Sequence, residues 1–277
     1  MEKIALLTCH NIDQTTDDFL LVEALKKSGR YEVDNIPWDD DHDWTIYKKV
    51  LIRTTWDYTK RLDEFLAKLE VINEQSRLIN SLEVVKWNHH KSYLKDLEAE
   101  GVLIVPTVFF TPAQRISIPT EWKAQKFILK PCVSASAYNT MIVTRPELES
   151  GAYRSKLFDT DWMLQPFMEE ILRGEISLHF FNSKFSHGII KVPKSGDFRV
   201  QEEYGGNIVP YTPSYELLEL GQNILKKVKE PLLFARVDVV PYQGSFALME
   251  LELIEPSLYF RTDPASPQRF VEALDLF

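Results

Sequence analysis

The chain has 277 residues, 44% apolar and 26% charged, with aromatics at 12%. That composition excludes a disordered polymer and leaves room for about two compact units with a cleft between them. Lys and Arg total 32 against 41 Asp and Glu, a net charge of −9 that excludes the chain as a general polyanion binder but permits a small anion in a locally basic cleft. Two cysteines, Cys9 and Cys132, provide neither a disulfide framework nor a Cys-rich metal site. The opening apolar run Ile4–Leu7 has strand length rather than membrane length. The expectation is a cytoplasmic monomer or small homo-oligomer with no nucleic-acid or membrane partner.

In chain order, Lys3–Thr8 reads as a buried strand. A helix follows over Asp17–Ser28, with Phe19, Leu20, Val22 and Leu25 as its apolar face and Gly29 as its cap. Tyr31–Ile36 is a second strand, Asp39–Asp43 a solvated turn, Lys49–Arg53 a third strand and Leu62–Val71 a helix. Short strands alternating with helices predict a parallel α/β layer over residues 1–82. A central unit, 83–164, has helical composition over His90–Glu100 and a strand over Lys126–Pro131. Its small-residue segment 132–140 suits a loop that approaches a ligand closely. The last unit, 165–277, has an alternating, half-buried strand at Glu175–Phe181 and a helix at Glu216–Lys229. A hairpin of Leu232–Val240 and Phe246–Ile254 precedes a terminal helix, Gln268–Leu276. The fold class expected is α/β plus α+β.

The sharpest chemical signal is Met249-Glu250-Leu251-Glu252-Leu253-Ile254-Glu255. Residues two apart on a strand share a face, so Glu250 and Glu252 point together, and the hairpin can bring Asp238 beside them. Three converging carboxylates suit a hard cation such as Mg²⁺; a charged outer strand face would give the same alternation. Lys130 ends an apolar strand, and Arg236 lies within one, where it is costly unless paired with Asp238 or facing a ligand. Glycine-rich dinucleotide, Walker, zinc-protease and nucleophile-elbow motifs are all missing. His89 and His90 diverge on a helix and suit a surface better than a metal. His179 and His187 belong to strands, and Cys132 has no nearby base to make it a nucleophile.

Taken in order, these segments resemble the ATP-grasp superfamily, in its glutathione-synthetase and ribosomal-protein-S6-modification-like branch, from about Lys86 to Ser257. The resemblance implies an ATP-grasp fold behind an amino-terminal parallel α/β (pre-ATP-grasp) domain. It implies ATP and Mg²⁺, with Lys91 and Lys130 on the phosphates and Ser134 and Ser136 in the covering loop. Gln165, Pro166, Phe167 and Met168 would form the adenine hinge, and Glu170 and Glu175 would lie near the ribose. Arg199 and Arg236 would stabilise the transferring phosphoryl group, and Asp238, Glu250 and Glu252 would hold the metal. Two departures stand out: a Ser/Ala-rich covering loop where many members use glycines, and Glu252 where many have Asn. With Arg53-Thr54-Thr55-Trp56-Asp57-Tyr58 and Glu255-Pro256-Ser257-Leu258-Tyr259, they resemble a narrower subgroup that includes the cycloserine-forming O-ureidoserine cyclo-ligase. The implied activity is ATP-dependent joining of a carboxylate to an amine through an acyl phosphate. The substrate would be a small carboxylate, an amino acid or derivative. Intramolecular cyclisation, an ATP-grasp kinase and a nucleotide sensor are the competing readings. For the second substrate, Arg53 at a strand end is the candidate carboxylate reader, with Trp56, Tyr58, Ser257 and Tyr259 around it; a packed aromatic turn is the alternative for Arg53.

Overall fold

The structure, a computed structural model, describes residues 1–11 and 16–277. Alternation along the first strand dictates the first layer. In β1 (Glu2–Thr8), Ile4 and Leu6 point to one face and Ala5 and Leu7 to the other, so both faces need cover. Helix α1 (Phe19–Lys27) covers the first face. Strands β2 (Tyr31–Pro37) and β3 (Lys49–Thr54) pair in parallel with β1 on either side. Helix α2 (Leu62–Gln75) covers the second face, and a short β4 (Arg77–Ile79) completes the parallel order β2-β1-β3-β4. The face of α1 differs from expectation. Leu21 and Leu25 are buried, while Phe19 is 58% exposed at the first turn, one position outside the stripe that meets the sheet.

Helices α3 (Leu82–Asn88) and α4 (Tyr93–Ala99) lead to a four-stranded antiparallel sheet. It comprises β5 (Val108–Phe110), β6 (Lys126–Pro131), β7 (Met141–Thr144) and, after helix α5 (Arg145–Ser150), β8 (Trp162–Pro166), in the order β5-β8-β6-β7. The expected break at 164/165 falls inside β8.

The third sheet has the order β11-β10-β9-β12-β13, from β9 (Glu175–Phe181), β10 (Lys184–Val192), β11 (Asn207–Tyr211), β12 (Phe234–Tyr242) and β13 (Ser245–Glu252). Helix α6 (Tyr215–Leu225) packs on it, with Leu217 and Ile224 in the same core as Leu178 and Phe180. All seven residues of β9 are buried, not alternate ones. This strand is central, with α6 against one part of it and the last helix, α7 (Ser266–Leu276), near its end. The β12–β13 hairpin is tighter than expected: Gln243 and Gly244, at φ 48° and 80°, form a two-residue turn of the kind whose twist suits paired strands.

The outer edge of β13 would be an open ladder, but side chains and one strand-like segment close it. Leu248 exchanges backbone hydrogen bonds with Leu103 and Val105. The Leu251 N–H donates to the Tyr93 hydroxyl at 2.8 Å, and Asn88 receives from Leu253 N and donates to the Leu251 carbonyl. Asn80 likewise donates to the carbonyls of Phe234 and Leu253 and accepts from Leu233 N. These buried amides tie the β12–β13 hairpin to the amino-terminal layer and fix the strand that carries Glu250 and Glu252. Among the described residues, no helix is long and apolar enough to cross a membrane.

Candidate active site

A cleft of about 1760 Å³, its open mouth included, lies between the central sheet and the five-stranded sheet and reaches the amino-terminal layer. Its floor is set by strand register. Asp238 pairs with Glu250, and Arg236 with Glu252, across β12 and β13, while Lys191 pairs with Glu175 across β10 and β9. Period two then aims all six side chains to one side.

The result is a lattice of opposite charges. Arg236 holds Asp238 through Nε at 3.0 Å and Nη2 at 2.8 Å, reaches Glu252 with Nη2, and donates to the Ser257 carbonyl at 3.2 Å. Lys191 bridges Glu175 and Asp238, the latter at 3.2 Å. Lys91 donates to Glu250 at 2.9 Å and to the Ser134 carbonyl at 2.8 Å. The sequence pattern had suggested a simple Arg236–Asp238 pair, and the structure contains it, but within this larger network. Lys191 was missed. As the eighth residue of an alternating strand, it looks like a solvated end until the sheet sets it between two buried acids.

Protonation follows from this packing. Burial would raise the Asp238 carboxyl, but Arg236 and Lys191 outweigh it and hold it well below the usual range. Burial also opposes ionisation of Glu250, and Lys91 and Lys130 overcome that. Glu252 has less compensation, and burial pushes it to about 7. Lys91 is pulled down by burial but raised overall by Glu250. Lys130 has no carboxylate partner within 4 Å among the described residues, and burial lowers it. Only 8% exposed at the end of β6, it is an unmatched cation beside the cleft.

The nucleotide candidates mostly come together. Lys91, Lys130, Ser134, Ser136, Gln165, Pro166, Phe167, Met168, Glu175, Arg199 and Arg236 all line the cleft. Gln165 donates to the Thr107 hydroxyl at 2.9 Å, which fixes the strand end at the hinge. In the 132–140 loop, Ser136, Ala137 and Asn139 have φ of 48°, 53° and 55°, so the glycine-poor loop follows a left-handed path that costs free energy at each residue. Arg199 is held by Asp197 at 2.7 Å and lies over the Tyr204 ring. A Cβ on Gly206 would fall 2.0 Å from the Val200 carbonyl oxygen, so this segment can fold back on itself only with glycine there.

Three candidates differ from expectation. Glu170 does not line the cleft; in the short helical turn 169–173, Ile171 faces it instead. Glu175 lines it, but its carboxylate is held by Lys191 and is no free acceptor for a ribose. Asp238 is 1% exposed, beneath the lining rather than on it, with both oxygens engaged by Arg236 and Lys191. Glu250 and Glu252 do face the cleft, and each is engaged through Oε1 only. Their hard-oxygen chemistry fits a magnesium ion, with Asp238 behind them. The three carboxylates share one face, but their cations hold the oxygens too far apart for a ready-made cage. Among the described residues, a closer grouping of metal-type ligands is His10, Asp39 and Asp40, outside the cleft lining.

Arg53 is a correction. It is 2% exposed, bonded to Asp18 at 2.8 and 3.0 Å and to the Pro256 carbonyl at 3.1 Å, and does not line the cleft. Nε and Nη2 are spent on Asp18 and the Pro256 carbonyl, and the buried Nη1 has no partner, so the structure sets Arg53 behind the cleft wall rather than in it. Trp56, Tyr58, Ser257 and Tyr259 do line the cleft. So do Asp17 and Arg261, which the sequence did not single out, and Glu255, which it quoted without a role.

Cys132 is fully buried, its thiol pushed up to about 12 by burial, so it is no nucleophile. His179 and His187 stack at 4.2 Å between ring centres on paired strands. Burial lowers His187 to about 4 and holds His179 well below its ordinary value, so neither serves as a base poised near neutrality. A histidine whose folded value lies below its unfolded 6.5 costs nothing above pH 6.5. Below that, the unfolded chain takes the proton first, and stability falls until about pH 4. Between pH 7 and 5, His187 alone should remove about 2 kcal/mol. Urea unfolding of the wild type and His187→Gln at both pH values checks this: the variant should lose that much less.

Residues 4–80 match the family model described as the D-cycloserine synthetase DcsG, N-terminal domain. The chain is 29% identical to the cycloserine biosynthesis protein DcsG of Streptomyces lavendulae over 92% of this chain and 91% of that one. The crystal structure of D-cycloserine synthetase DcsG superposes with a TM-score of 0.85 at 26% identity, covering 98% of both chains. The D-alanine–D-alanine ligase from Bacillus anthracis, also solved complexed with ATP, gives 0.70 at 12% identity over 100% of this chain and 96% of that one.

Proposed function

Because the chain is an ATP-dependent ligase of the ATP-grasp fold, we propose that it activates the carboxylate of a small amino-acid-like substrate as an acyl phosphate and closes an amide-type bond, releasing ADP and phosphate. The observation that carries this is Lys130: a buried cation without a carboxylate partner, beside the 132–140 loop and across from a floor rich in paired charges. A phosphate group supplies the missing anion. Likeness to cycloserine synthetase favours the intramolecular form, in which one molecule carries both acyl group and nucleophile.

In this reading, Lys91 and Lys130 bind phosphate oxygens. Gln165 to Met168 flank the base, and Val105, Ile128 and Ile171 supply apolar cover. Arg236, pinned by two carboxylates and a carbonyl, presents a fixed positive charge where negative charge develops, with no reorganisation needed during reaction. Arg199 lies at the side of the cleft to assist it. Asp238, Glu250 and Glu252 would hold Mg²⁺, which supplies charge neutralisation at phosphate oxygens. The 132–140 loop, linked to Lys91 through Ser134, excludes water from the acyl phosphate.

The test is ADP release from Mg-ATP across a panel of small amino acids, with mass spectrometry of the productive mixture. Summed masses indicate ligation; loss of a fragment from one substrate indicates cyclisation. No substrate-dependent ADP release from any carboxylate contradicts the proposal. Lys130→Ala should weaken ATP binding about 10- to 100-fold, the worth of a lost charge-assisted contact, as read by calorimetry.

A further inference from the structure

Among the described carboxylates that line the cleft, the charge pairing leaves two without a cation, Glu203, which is exposed to solvent, and Glu255, which is not. Asp17 is paired with Arg261, Asp18 with Arg53, Glu250 with Lys91, Glu252 with Arg236 and Glu175 with Lys191. Glu255, half-buried in the same wall, has no cation within 4 Å. The four residues outside the description, Ile12, Asp13, Gln14 and Thr15, include no basic side chain that could complete it.

The surroundings are built for a small polar group. Glu255 follows β13, and its backbone carbonyl accepts from the Trp56 indole at 3.2 Å, which holds this turn against the amino-terminal layer. The Tyr58 phenol interacts with its carboxyl, and Tyr58 itself is buried against Phe65 at a ring separation of 4.6 Å. Lys91 is the nearest basic influence on Glu255, but its ammonium is already committed to Glu250 and the Ser134 carbonyl.

We propose that Glu255 is the specificity-determining residue for a positively charged nitrogen on the substrate, so that the molecule activated is an amine-bearing carboxylate rather than a simple carboxylic acid. This rests on the ligase reading above and deepens it. The α-ammonium docks on Glu255 in the acceptor half while the carboxylate of the same molecule turns toward Arg236 and the phosphate half. Burial, followed by repulsion from Glu252, pushes the Glu255 carboxyl up to about 8, so the anion is poorly stabilised until a cation arrives.

The experiment supplies the nucleophile so that an unknown one is not needed. Wild type, Glu255→Gln and Glu255→Asp are incubated with Mg-ATP and hydroxylamine, which traps an acyl phosphate as a hydroxamate. The carboxylates are glycine, both alanines and both serines, set against their deaminated counterparts acetate, propionate and 3-hydroxypropionate. Wild type should favour at least one amino acid over its counterpart by about 10-fold or more, as expected for a charge-assisted contact in a desolvated site. Glu255→Gln should lose that preference, with its KM for ATP and its melting temperature unchanged, and Glu255→Asp should keep part of it. Hydroxamate formed equally from both series by the wild type, or a preference that survives in Glu255→Gln, overturns the role of Glu255 and leaves the ligase reading standing. No hydroxamate from any carboxylate overturns both.

Discussion

Replacing Arg236 by Met is expected to lower kcat/KM by about two to three orders of magnitude, with a much smaller change in ATP affinity. Arg236 is positioned by the groups it neutralises: Asp238 by two nitrogens, Glu252 by one and the Ser257 carbonyl by the third. Methionine fills the space along β12 but leaves Asp238 to Lys191 alone and Glu252 with no cation. Glu252, already at about 7, would then be neutral near pH 7, and the floor would lose the field that opposes charge on the transferring phosphoryl group. Arg236→Lys should restore little, because an ammonium cannot hold two carboxylates and a carbonyl in one plane. Steady-state kinetics well below the melting temperature separate this from instability. A kcat/KM within threefold of wild type in Arg236→Met would remove Arg236 from the chemistry.

Arg53→Ala should destabilise the protein by about 3–5 kcal/mol and lower its melting temperature by about 10 °C, while leaving the KM of the acceptor unchanged in the folded fraction. The side chain is 2% exposed, stacked over Phe234 at 5.2 Å and engaged with Asp18 and the Pro256 carbonyl. Its removal strands Asp18 and frees the turn that leads to Ser257. Thermal unfolding with and without Asp18→Asn is the measurement: the double variant should be less destabilised than the sum of the two single ones, because the anion is removed with its partner. An unchanged melting temperature together with a raised acceptor KM would return Arg53 to substrate recognition.

What could be read from the residues was what repeats over short distances. Two-residue alternation placed Glu250 and Glu252 on one face and matched Asp238 to them, because a hairpin fixes register locally. The parallel layer was legible for the same reason: β1 and β3 are apolar on both faces, which requires helices on both sides. Failures came where partners lie far apart in the chain. Arg53 carries no local sign that Asp18 neutralises it, and Lys191 resembles any solvated lysine until β9 and β12 bring Glu175 and Asp238 to it. β4, β5 and β7, at three or four residues each, are too short to show a period, and pairing with neighbours defines them. Glu255 stood in a quoted segment but carried no role there, because the lack of a cation beside it is a property of the fold and not of its neighbours in sequence.

Helix α7 packs on α1 and on the first sheet, where Phe270, Val271 and Leu274 share a core with Ile4, Leu6, Leu21 and Leu25. The first layer therefore does not complete its apolar cover from its own helices. A fragment cut after β4 would carry part of that cover bare and be prone to self-association, so the layer cannot be borrowed as a free-standing module.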